Sequence, residues 1–300
     1  MQEMSGETYQ SSQFAKALCA SDAKVGKTTF LVCQALGAFP NQKYGGVVDK
    51  PEHLHILTFD ANALGGLKGF ITSQCKKGPE YLKYRVYNHQ DEWRRVSESR
   101  DDWNFDLYNA VQNTLRTIRQ RAEKEGGTHL LVFSSLTGLA EGILRAIAGP
   151  PDEKKKGSGM DPSKWQEFSR QLIDIRNAAQ VDVYHCMWEA HIDRGAQFAM
   201  KKQDDGEGGP KETIHVPGQA GRSWGFNVEQ VFRIRRSLGD TFPNTNIDRM
   251  YLDTRPSMEF ISGGRSFTES LDPKEYDLTL AFHKLGLKIG RFGAKAKKSK

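Results

Sequence analysis

Hydrophobic residues fall into two textures along this chain. Short runs of mostly apolar residues, the length of strands, are separated by longer stretches in which apolar residues return at helical spacing. Phe14–Ala20 predicts a first strand. Thr28–Ala38 predicts a helix with Phe30, Leu31, Cys33, Leu36 and Ala38 facing inward, and Pro40, Asn41, Gly45 and Gly46 mark a loop after it. His53–Asp60 reads as a strand ending in an acid, and Leu82–Tyr87 as another. Asp106–Glu125 predicts a long helix with Leu107, Ala110, Val111, Leu115 and Ile118 on one face, ended by Gly126 and Gly127. His129–Phe133 is apolar without alternation, as central parallel strands are. Trp165–Ala179 is an amphipathic helix and Val181–Met187 the next strand. Gly149–Pro162 and Arg194–Gly221 break the pattern and are long enough to be mobile functional loops. Gln230–Arg235 and Arg249–Asp253 read as strands of a short antiparallel C-terminal extension, and Asp277–Leu285 as a last helix.

Strands alternating with helices predict an α/β fold, with a mostly parallel central sheet and helices on both faces. The expected organisation is a flexible N-terminus over 1–13, one domain over 14–289 and a basic disordered tail over 290–300. The chain has 300 residues, enough for one substantial core, and its 37% hydrophobic and 27% charged residues suit a soluble globular protein. No apolar run is long enough to span a membrane, and Met1–Lys16 has no signal-peptide core. A cytoplasmic location is expected, the host's if the chain is viral. Cys19, Cys33, Cys75 and Cys186 match neither zinc nor CxxC spacing and read as buried small hydrophobes.

Charge changes this picture. The net charge is +6 and it is uneven. Lys154–Lys156 form one basic cluster and Arg233, Arg235 and Arg236 another. Gly290–Lys300 carries Arg291, Lys295, Lys297, Lys298 and Lys300 with no acid. Such a tail is either a solvated end or a nucleic-acid contact.

The chemistry is concentrated at residues 21–28, Ser-Asp-Ala-Lys-Val-Gly-Lys-Thr, which follow a strand and open a helix. This is the setting of the phosphate-binding pattern Gly-x4-Gly-Lys-Ser/Thr. Gly26 allows the backbone to approach phosphate oxygens closely. The loop amides and the helix N-terminus make an anion site. Lys27 brings a point charge to the terminal phosphates, and the Thr28 hydroxyl suits Mg²⁺. Ser21 replaces the first glycine. The expected ATP cradle is Ser21, Asp22, Ala23, Lys24, Val25, Gly26, Lys27, Thr28 and Thr29. The signature lysine of ParA- and MinD-like ATPases would fall on Asp22, which sets that family aside.

Together these features resemble the RecA-like ATPases, above all their short phage members. The residues that carry the resemblance are Lys-Val-Gly-Lys-Thr-Thr-Phe at 24–30, Phe-Asp-Ala-Asn-Ala-Leu at 59–64, Leu-Leu-Val-Phe-Ser-Ser-Leu-Thr at 130–137 and Val-Tyr-His-Cys-Met-Trp-Glu-Ala-His at 183–191. The resemblance implies ATP and Mg²⁺ as ligands, with Thr28 and Ser134 at the metal positions. It also marks two departures. The family's metal-shell aspartate falls on Ser134 and its water-activating glutamate on Asn62. Asp60 and Glu189 are the substitute acids, so the expected catalytic set is Lys27, Asp60 and Glu189, with slow turnover of ATP.

His191 is placed to meet either the γ-phosphate or DNA, or to be a polar strand-end residue. Trp224 is either a base-stacking platform or, preferably, a core aromatic. Arg265 is either a finger reaching a neighbour's ATP or a turn arginine. The function this implies is an ATP-binding protein of phage-type recombination, annealing or replication, bound to single-stranded DNA and homo-oligomeric, with no membrane. A pseudo-ATPase is the alternative. A P-loop kinase or packaging motor fits less well, because Arg194–Arg222 is too sparse in arginine for a phosphate-covering lid.

Overall fold

A computed structural model describes residues 14, 16–22, 27, 51–59, 83–89, 106–149, 160–193, 213–217, 224, 227–228, 230–241, 248–253 and 263–264. Its elements are β1 (Lys16–Ser21), β2 (His53–Thr58), β3 (Lys83–Asn88), α1 (Leu107–Glu125), β4 (His129–Ser134), α2 (Leu136–Ala148), α3 (Pro162–Ala179), β5 (His185–Asp193), β6 (Thr213–Ile214), β7 (Gln230–Thr241), β8 (Asp248–Asp253) and β9 (Gly263–Gly264). The sheet order is β3-β2-β4-β5-β1-β7-β8. Strands β3, β2, β4, β5, β1 and β7 run parallel. This is the α/β arrangement with a mostly parallel sheet that the sequence predicts, and β1, which leads into residues 21–28, lies inside the sheet between β5 and β7. Gln230–Arg235 therefore does not belong to an antiparallel extension, because β7 joins the parallel sheet beside β1. It is β8 and β9 that turn back along β7 in the antiparallel sense, while β6 pairs antiparallel with β5.

β1, β2 and β4 are buried at every position, as strands covered on both faces must be. Leu18, Ala20, Leu57, Phe59, Leu131, Phe133, Cys186, Trp188 and Ala190 share a core with Val111, Leu115 and Ile118 of α1, Leu139 and Ile143 of α2, and Phe168, Leu172 and Ile175 of α3. These strand positions alternate, so they define one face of the sheet, and the three helices pack together over it. The helix expected at 28–38 lies outside the described residues, as do 1–13, Asp277–Leu285 and the basic tail. Among the described residues no helix is long and apolar enough to cross a membrane.

Local signals fix the helix ends. The Asp106 carboxylate accepts from the Asn109 amide at 2.9 Å and caps α1, while Gly126, at φ +65°, ends it. Asp161 caps α3, with Pro162 in its first turn. α2 is a helix that the hydrophobic pattern does not announce. Gly138 and Gly142 lie inside it, and glycine costs about 1 kcal/mol per helical position relative to alanine. Packing imposes at least one of them: a Cβ at Gly138 would stand 3.2 Å from the Phe59 Cβ. β5 begins at His185 rather than Val181, because the preceding turn has another use. The buried Lys16 ammonium donates to the Val181 carbonyl at 2.6 Å and to the Tyr184 carbonyl at 3.0 Å. Gly149 caps α2 and Pro162 opens α3, so both ends of the expected 149–162 loop serve helices. Within 194–221, Thr213–Ile214 form β6 against Asp193 and Ile192.

A chain of neutral imidazoles sits at the amino end of the sheet. His129 Nε2 faces the Gly126 carbonyl at 2.8 Å and must donate to it. His129 Nδ1 is then an acceptor, so His55 Nε2 donates across 3.0 Å. That leaves His55 Nδ1 to accept from the Tyr87 hydroxyl at 3.3 Å. His53 stacks on His129 at 4.1 Å and pairs with Glu125, which also binds Arg85. Burial first, then His129, Arg85 and His53, push His55 down to about 3, with Glu125 opposing. Burial also lowers His129.

A histidine depressed in the folded state takes up its proton more readily when unfolded. It therefore costs nothing above pH 6.5 and removes stability as pH falls from 6.5 toward 3. His55 alone accounts for about 2 kcal/mol at pH 5. Denaturant unfolding between pH 7.5 and 4.5 is expected to lose stability, and His55→Leu to flatten that slope by as much as one proton. An unchanged slope in the variant would assign the acid sensitivity elsewhere.

Candidate functional site

Parallel strands in register send side chains at paired positions to the same face. Cys19 pairs with Glu189 and Ser21 with His191. Thr58 pairs with Ser134 and with Asn88. Phe133 pairs with Trp188, which brings the next residues, Ser134 and Glu189, side by side. A row of small and polar groups thus crosses the carboxyl end of the sheet, on the face turned away from α1–α3. Ligands of open α/β sheets bind at this end.

Lys27 is the centre of the site. It is 6% exposed, and its ammonium reaches the Asp22 carbonyl at 2.9 Å, the Ser21 hydroxyl at 3.1 Å, the Ser21 carbonyl at 3.3 Å and His191 Nδ1 at 3.3 Å. Only a neutral imidazole with its proton on Nε2 can accept from an ammonium at Nδ1. The departure at Ser21 therefore has a use here: its hydroxyl accepts from Lys27 and donates to the Asp22 carbonyl at 2.9 Å. Burial lowers the Lys27 pKa, and the nearby Glu189 carboxylate is the largest influence in the other direction.

Glu189 is 2% exposed and accepts the Ser134 hydroxyl at 2.8 Å. Burial first and Glu189 second hold the Cys19 thiol protonated, so it behaves as the small buried hydrophobe expected. Cys186, pushed up to about 12 by burial, behaves likewise. His191 is fixed through its backbone: its amide donates to the Thr137 hydroxyl at 3.0 Å and its carbonyl accepts from the His215 amide at 2.7 Å. The Phe59 amide donates to the Ser134 carbonyl at 3.0 Å, tying the end of β2 to that of β4. On the opposite face Phe133 stacks on Trp188 at 3.7 Å, and Trp188 meets Trp224 edge-on at 5.0 Å. Trp224 is fully buried, so it is a core aromatic and not a platform for bases.

The structure thus gathers Ser21, Asp22, Lys27, Ser134, Glu189 and His191. Ala23, Lys24, Val25, Gly26, Thr28, Thr29, Asp60, Asn62 and Arg265 lie outside the described residues. Thr137 was missed, since a lone threonine near the start of a helix carries no signal of a partner on another strand. Among the described residues no three or more His, Cys, Asp or Glu side chains gather as a metal cluster. A nucleotide's Mg²⁺ needs none, because phosphates and waters fill most of its shell and one or two side chains complete it.

No protein-family model matches the chain, and no curated protein matches it in sequence. Among solved structures it is similar to a prototypical ATPase from the type III secretion system of pathogenic bacteria, at 11% identity and a TM-score of 0.42, over 89% of this chain. The chain spans 62% of that protein's length.

Proposed function

We propose that the chain binds ATP, with its phosphates over the carboxyl ends of β1, β4 and β5. The observation that carries this reading is the Lys27 ammonium, buried at the end of a P-loop strand and held by oxygens of Ser21 and Asp22 that it can surrender to phosphate. The donor set fits Mg²⁺: a hydroxyl at Thr28 and the Ser134–Glu189 pair would complete its shell, and the ion would neutralise charge on the phosphates. Calorimetric titration with ATP tests the proposal, and the absence of binding at millimolar nucleotide would refute it.

The finer reading is a homo-oligomeric protein of phage-type recombination, annealing or replication that holds single-stranded DNA. Its support is the net charge of +6 and the basic segment 290–300. Each phosphate neutralised on a single strand contributes about −0.7 to the salt slope. Removing Gly290–Lys300 is therefore expected to weaken binding and lower the slope by as much as about 3.5, for the loss of Arg291, Lys295, Lys297, Lys298 and Lys300. Absence of binding by the full chain at low salt would sink the DNA role. The pseudo-ATPase alternative draws on Ser134, which offers a hydroxyl where the RecA-like resemblance implies a carboxylate. Turnover measured beside binding separates the two readings.

A further inference from the structure

We propose that Glu189, on β5, supplies the carboxylate of the magnesium shell that β4 lacks at Ser134. The inference rests on the ATP-binding reading above and assigns a role within that site.

The geometry separates two jobs for this acid. Glu189 leans from β5 across to β4, far enough to accept the Ser134 hydroxyl at 2.8 Å. Its carboxylate is therefore within hydrogen-bond reach of the side chain at position 134, beside the place where an acid there would put its own. The water-activating acid implied by the resemblance comes instead from the end of β2. In the order β2-β4-β5, that end is two strand spacings from β5, or about 10 Å. Glu189 reaches the first location and not the second.

Charge supports the same assignment. A carboxylate 2% exposed requires hydrogen bonds and a positive neighbour. Ser134 provides the hydrogen bond, and Lys27 stands on the same face of the sheet. ATP draws the Lys27 ammonium to its phosphates, and a cation accompanying the nucleotide restores positive charge beside Glu189. Ser134 then acts as a positioning residue: its hydroxyl fixes the rotamer of the carboxylate, as outer partners fix metal-shell acids. Carboxylate and hydroxyl have exchanged strands.

This exchange makes single and double substitutions diverge. Ser134→Asp alone sets two buried carboxylates against each other, and like charges there disfavour joint ionisation. Ser134→Asp with Glu189→Gln restores one carboxylate and one hydrogen bond with the roles reversed, the side-chain amide introduced on β5 donating to the acid introduced on β4. The experiment is calorimetric affinity for a non-hydrolysable ATP analogue, with Mg²⁺ and in EDTA, on the full chain. Thermal unfolding of each variant confirms that it is folded.

The native protein is expected to gain about tenfold or more in affinity from Mg²⁺. Glu189→Gln is expected to lose most of that gain, read as the ratio of its affinities with Mg²⁺ and in EDTA, and the double variant to recover it. A gain in folded Glu189→Gln equal to the native one overturns the proposal and leaves nucleotide binding intact, as does a folded double variant with no recovery. No binding by the native protein in either buffer overturns the ATP reading and this inference with it.

Discussion

Lys27→Ala is expected to weaken ATP binding by roughly 10–100-fold while the protein unfolds at nearly the native midpoint. The first half follows from what the ammonium does in a loop that otherwise binds through backbone amides. A hydrogen bond to a charged group contributes about 1.5–3 kcal/mol, and 1.4 kcal/mol is tenfold in affinity. The second half follows from opposing terms in the empty site. Burial disfavours the charged lysine, which its lowered pKa expresses, so truncation relieves a cost. Against that, Glu189 loses a positive neighbour, and the Ser21 and Asp22 carbonyls lose a donor. The net change in stability is expected within about 1 kcal/mol. Lys27→Arg keeps the charge but replaces a compact ammonium with a planar fork, and it is expected to recover only part of the affinity. Equal affinity in the native protein and Lys27→Ala would show that phosphate does not bind here.

The parts of this arrangement that were legible in sequence are those written contiguously. The P-loop occupies one stretch, so Ser21, Asp22 and Lys27 could be named together, and the structure brings them together. α1 was legible nearly to its ends because its apolar residues keep helical spacing between a capping Asp106 and Gly126. α2 was not, since Gly138 answers to Phe59 on another element and not to helix propensity. The end of β5 was legible only in part, through the likeness of 183–191 to a strand and not through its hydrophobic pattern. Glu189 and His191 follow the expected strand Val181–Met187 and are polar, yet they belong to β5, because polar groups at its carboxyl end face the site. The direction of β7 is not encoded in its own residues: it depends on β1 lying beside it, which only the sheet order reveals. The Ser134–Glu189 contact is of the same kind, joining residues 55 apart through strand neighbours.

Turnover of ATP is expected to be slow, about 10⁻³–10⁻¹ s⁻¹, against the ~10 s⁻¹ of a median enzyme when general-base help worth ~10²–10⁴-fold is missing. The resemblance to RecA-like ATPases places the water-activating carboxylate at Asn62, and an amide takes no proton from water. With Glu189 proposed for the magnesium shell, one of the two substitutes leaves that task. Glu189 is spent against Ser134 beside β4, on the far side of β4 from the end of β2. Asp60, which follows Phe59 in the sequence and lies outside the described residues, is the acid that the resemblance then leaves for the attacking water. Asp60→Ala is therefore expected to lower kcat by a further tenfold or more with ATP affinity unchanged. Glu189→Gln acts differently, shifting the dependence of affinity on Mg²⁺. Asn62→Glu is expected to raise kcat, and it should do so without Ser134→Asp, because the acid at the β4 position is already provided from β5. Single-turnover hydrolysis of radiolabelled ATP, with binding measured in parallel, checks each outcome. Native turnover near 10 s⁻¹ that survives Asp60→Ala would show that a carboxylate outside this set activates the water, and that the division of labour between β2 and β5 is wrong.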